Sequence, residues 1–86
     1  MDAYKIVKYP LSTEKSLRLM EAENKLVFVV DKKARKNEIK KSIERMFNAK
    51  VIGVNTVITQ DGHKRAYIKF SKETPAIDIA TNLGLM

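Results

Sequence analysis

Apolar and polar positions alternate most regularly between Val51 and Ser71, where two β-rich runs flank Asp61-Gly62. Both turn residues tolerate positive φ, so this pattern predicts a hairpin. Side chains alternate across a strand. On the second strand Ala66, Ile68 and Phe70 therefore share one side, and Arg65, Tyr67 and Lys69 share the other. On the first strand Ile52, Val54, Thr56 and Ile58 are expected on the buried side, which leaves Asn55, Val57 and Thr59 beside the basic row. One face packs and the other is free to bind.

The pattern elsewhere predicts five more elements. Lys5 to Tyr9 is short and β-prone, and Pro10 stops regular pairing or places it at an edge. Ser12 or Thr13 can cap a helix that turns Leu17 and Met20 inward, pairs Glu14 with Arg18 at i, i+4 and ends near Asn24. The apolar block Leu26–Val30 lies between charged ends and is too short and too β-branched for a core helix, so it predicts a central strand covered on both faces. Ile39, Ile43, Met46 and Phe47 recur at helical spacing and form the core stripe of a second helix, whose capping residue is Arg35, Lys36 or Asn37. Thr74-Pro75 opens a third helix with Ile77, Ala80 and Leu83 inward, and Gly84 stops it. The order strand, helix, strand, helix, strand, strand, helix predicts an α+β, ferredoxin-like fold: a mostly antiparallel four-stranded sheet with about three helices. No linker or repeat divides residues 1–86, which are expected to form one domain.

Charge changes the picture from fold to partner. Seventeen Lys and Arg against ten Asp and Glu give a net charge of +7, a long-range attraction for polyanions. Between Asp31 and Lys50, eight basic and three acidic residues hold +5 of it, and Lys32 to Lys36 carries no acid. Nucleic acid is the first partner to consider. No apolar run approaches the roughly 20 residues that span a bilayer, and no lipidation or signal-peptide pattern is visible, so no membrane insertion and a cytoplasmic location are expected.

Catalytic chemistry is harder to place. There is no cysteine, and the single histidine, His63, belongs to the hairpin turn as a solvated residue. The three glycines are scattered, so no phosphate-binding loop forms, and no loop offers the arginine and glycines of a small ferredoxin-like phosphatase. No metal site, no cofactor and no enzyme activity are expected. Lys64 to Phe70 echoes a strand of the RNA recognition motif, but without its glycines and with one outward aromatic where that family stacks two or more bases.

Three segments in order, Pro10 to Ser16, Val54-Asn55-Thr56 and Lys64 to Phe70, resemble the universal large-subunit ribosomal protein L-twenty-three family. The basic loop, the second helix and the stretch from Ile79 to Leu85 extend the resemblance over essentially the whole chain. Bacterial members carry a long basic hairpin extension toward the peptide tunnel. Here only Gln60 to His63 separate the strands, as in the archaeal type. Phe70 stands where the family usually has leucine, and Arg35 where a capping threonine is common.

The resemblance implies a structural protein that binds large-subunit ribosomal RNA beside the tunnel exit, next to other ribosomal proteins. It also implies a docking role for Glu14 and Lys15 toward nascent-chain factors: the signal recognition particle, the translocation channel or a ribosome-associated chaperone. Combined with the charge pattern, it makes Lys32, Lys33, Arg35 and Lys36 candidates for phosphates, Lys64, Arg65 and Lys69 for phosphates or sugars, and Asn55 and Tyr67 for closer contacts. The competing reading is a stand-alone basic module that binds RNA or an acidic protein.

Overall fold

A computed structural model describes residues 6–84. Lys5 of the first expected strand and Leu85 lie outside them. The elements follow the expected order: β1 (Val7–Pro10), α1 (Glu14–Glu23), β2 (Lys25–Val30), α2 (Lys36–Phe47), β3 (Val51–Ile58), β4 (Lys64–Phe70) and α3 (Ala76–Asn82). The strands form one antiparallel sheet in the order β1-β2-β4-β3. Because β4 is antiparallel to both β2 and β3, the unit β2-α2-β3 is a split β-α-β of the ferredoxin-like kind.

Helix boundaries follow from local chemistry. Thr13 caps α1: its hydroxyl accepts from the Ser16 amide at 3.2 Å, and the Ser16 hydroxyl accepts from the Thr13 amide at 2.8 Å. Asn24 ends α1 in the left-handed region at φ 57°, and Asn48 ends α2 at φ 49°. Arg35 is the N-cap of α2, and Glu38 answers for its missing capping hydroxyl by accepting the Arg35 amide at 3.2 Å. The start of α3 differs from expectation. Pro75 is its N-cap, and the Ala76 amide donates to Asn24 Oδ1 at 2.6 Å, while Thr74 instead accepts the Lys50 amide.

All three helices cover one face of the sheet. Met20, Ile39, Ile43, Ala76, Ile79 and Ala80 pack there on Leu26, Phe28, Val30, Val51, Ala66, Ile68 and Phe70. Phe28 meets Phe47 with ring centroids 5.9 Å apart. Three expected core residues are not in it. Ile77 is exposed because Ala76 and Ile79 take the inward positions of α3. Ile52 is 56% exposed because β3 bulges between Val51 and Gly53, so Val51 faces the core and Ile52 does not. Ile58 pairs with Lys64 on the helix side and is also exposed.

Candidate RNA-binding surface

Residues directly opposite in an antiparallel pair share a face. The register therefore writes out the face opposite the core, which α1 borders beside Val27 and Tyr67. Tyr9, Val29, Arg65 and Val57 form one row across the four strands. Val27, Tyr67 and Asn55 form the next, extended by Leu11, whose amide donates to the Val27 carbonyl at 2.9 Å. Lys25, Lys69 and Gly53 form the third. No residue in these rows is acidic. Val27 and Val29 are buried on this face, Val27 in a recess shared with Leu11, Leu19, Arg65 and Tyr67, so cationic and aromatic side chains stand over an apolar floor.

Arg65, Tyr67, Lys69 and Asn55 lie on this face together, as the alternation predicts. Lys64 does not. It lies on the helix side of β4, and its ammonium donates to the Ala34 carbonyl at 2.6 Å, which ties it to the basic loop. That loop is itself ordered: Asp31 Oδ1 accepts the Lys33 amide at 2.8 Å, and Ala34 is buried. Lys32 reaches across to the hairpin, where a Cβ added to Gly62 would stand 3.0 Å from its Nζ. Lys33, Arg35 and Lys36 are exposed. The two basic regions, thirty residues apart in sequence, thus meet at one end of the sheet.

The hairpin turn is longer than a two-residue Asp-Gly turn. The Thr59 carbonyl accepts the Gly62 amide at 3.0 Å and the Thr59 amide donates to the His63 carbonyl at 2.8 Å, with Gly62 at φ 85° and Asp61 outside the left-handed region. Only the glycine uses positive φ. The Thr59 hydroxyl bonds Asp61 and holds its carboxyl below the ordinary value of 3.8; His63, 3.8 Å away, adds to this when protonated.

Glu14 and Lys15 separate. Glu14 is exposed at the start of α1 and ion-paired with Arg18 at 2.9 Å. Lys15 borders the open face, lining a small recess with Leu11, Ser16, Leu19, Arg65 and Tyr67. Two further face residues went unrecognised in the sequence, Tyr9 and Lys25. A bulge between Val7 and Tyr9 puts those two residues on opposite sides, and simple alternation cannot show this. The one local sign was Pro10, which marks an edge strand where bulges concentrate. Among the described residues no group of His, Asp or Glu is arranged to hold a metal ion, and no helix is long and apolar enough to cross a membrane.

Comparison with known proteins gives the family. A family model described as Ribosomal protein L23 matches residues 5–80. The chain belongs to the ribosomal protein L23 family. It is 46% identical over 85 residues to the large ribosomal subunit protein uL23 of Methanococcus aeolicus, and 48% identical over 85 residues to that of Methanococcus vannielii, with 99% of both chains covered in each case. The uL23 of Trypanosoma brucei brucei is 45% identical over 85 residues, which are 99% of this chain and 52% of that longer protein. The archaeal relatives agree with the short hairpin. A member of the ribosomal protein L23 family is a structural protein and not an enzyme.

Proposed function

We propose that this chain is a structural constituent of the large ribosomal subunit in the cytoplasm, holding large-subunit ribosomal RNA beside the exit of the peptide tunnel. The observation that carries this reading is the acid-free, cationic sheet face, with the basic loop Lys32–Lys36 at the hairpin end of the sheet, in a chain of the ribosomal protein L23 family. Lys32, Lys33, Arg35 and Lys36 meet phosphates at the hairpin end, and Lys64 lends its remaining donors there. Arg65 and Lys69 meet phosphates or sugars on the face, and Asn55 and Tyr67 make the closer contacts. The side of α1 bearing Glu14, with Lys15 at its margin, is available to neighbouring ribosomal proteins and to a nascent-chain factor, whether signal recognition particle, translocation channel or chaperone.

Sedimentation of tagged protein from a native lysate tests this. The protein should travel with large subunits through a high-salt wash and be released by ribonuclease. Migration as a free small protein in gentle salt would remove the ribosomal assignment.

A further inference from the structure

The open face holds more than charge. Tyr9 is 48% exposed and stands two strands away from Tyr67, with β2 between them. The bulge in β1 is what brings it there, since unbroken alternation would leave it on the side of buried Val7. Strand spacing separates the two tyrosines by about 10 Å across the sheet, and the offset of one row adds about 7 Å along it. One base is too small to lie on both rings. The recess beside Tyr67 holds about 30 Å³, too little to enclose a base, so contact is with the ring faces at the surface.

Arg65 shares the row of Tyr9 and the strand of Tyr67, and so stands at the corner between them. Asn55, directly opposite Tyr67, is exposed and carries both a donor and an acceptor on its amide. A regular RNA duplex keeps its bases stacked inside and offers outward mainly phosphates and ribose, for which tyrosine rings on an apolar floor have no special use. Aromatic side chains interleaved with cations suit bases that have left the stack.

Resting on the RNA-binding reading above, we propose that this face takes two unstacked bases of a single RNA strand, one on Tyr9 and one on Tyr67. Arg65 neutralises a phosphate between them, and the Asn55 amide pairs with the edge of the base on Tyr67. The site thus selects looped or bulged RNA over continuous duplex.

The test compares the full chain and its Tyr9→Leu, Tyr67→Leu, Tyr9→Phe and Tyr67→Phe variants by fluorescence anisotropy on three probes. These are a mixed-sequence single-stranded RNA, an abasic strand of equal length and charge, and purified large-subunit RNA. Circular dichroism checks that each variant is folded. The wild type should prefer the based strand over the abasic one, each leucine variant should reduce that preference about tenfold, and each phenylalanine variant should keep it within about twofold. With no tryptophan present, quenching of tyrosine emission by the based strand gives a second readout. Equal affinity for based and abasic strands, or leucine variants that leave the preference intact, would overturn base stacking while tight binding to large-subunit RNA kept the RNA reading. Failure to bind all three probes would overturn the RNA reading itself.

Discussion

At the residue scale, Asn24 joins three parts of the chain. It closes α1 at φ 57°, its amide nitrogen donates to the carbonyls of Phe70 at 2.9 Å and Ser71 at 3.1 Å, and its Oδ1 accepts the Ala76 amide at 2.6 Å. Asn24→Ala loses those bonds and strains a left-handed backbone, and should cost about 3 kcal/mol in urea denaturation. Asn24→Gly keeps the backbone freedom and should cost measurably less. The end of α1 near Asn24 was legible, because asparagine tolerates this conformation; its grip on α3, fifty residues on, was not, because no local pattern encodes a tertiary bond. Asp61 offers a test of the turn. Its carboxyl is held low chiefly by the Thr59 hydroxyl, so it supports the turn above the ordinary value of 3.8, and that support is lost as pH falls through the lower value of the folded state. Thr59→Val should move its titration back up, as read by NMR of the side-chain carboxyl.

At the scale of elements, the bulges decide which way side chains face. Val51 is buried and Ile52 exposed, the reverse of the order that period-two alternation gives. Val51→Ala should therefore destabilise by about 2 kcal/mol, whereas Ile52→Ser should stay within about 0.5 kcal/mol, both measured by chemical denaturation. The opposite ranking would mean that β3 pairs without its bulge. This same device separates what the sequence revealed from what it hid. Arg65, Tyr67 and Lys69 could be assigned to one face because β4 alternates without interruption, and Leu26–Val30 announced a central strand by being apolar throughout. Tyr9 and Ile52 sit beside the two register shifts, where adding one residue inverts the face and leaves composition unchanged. Ile77 was misassigned for a different reason: α3 has only seven residues, and Ala76 is small enough to take the inward place against the sheet.

At the scale of the whole molecule, charge is divided between two sides. Lys40 and Lys41 are exposed on α2, on the helix-covered side, whereas Arg65 and Lys69 belong to the open face. Reversing Arg65 and Lys69 together should weaken RNA binding by about 1 to 2 kcal/mol for each lost contact and flatten the plot of log affinity against log salt by about 0.7 per contact. Reversing Lys40 and Lys41 removes the same net charge and should change that slope much less. Equal effects from the two pairs would mean that net charge alone drives binding. The tethered basic loop bears on how such binding begins. Lys64 grips the Ala34 carbonyl, Asp31 holds the Lys33 amide, and Lys32 Nζ lies near Gly62, so contacts within the chain already support the backbone that presents these cations. Ordering a free loop costs about 1 to 2 kcal/mol of conformational entropy per residue, and contacts of this kind move part of that cost from binding to folding. On the proposed RNA-binding reading, a strand would meet positive charge whose spacing the fold has largely set, so the fit would fall more on the RNA than on the loop.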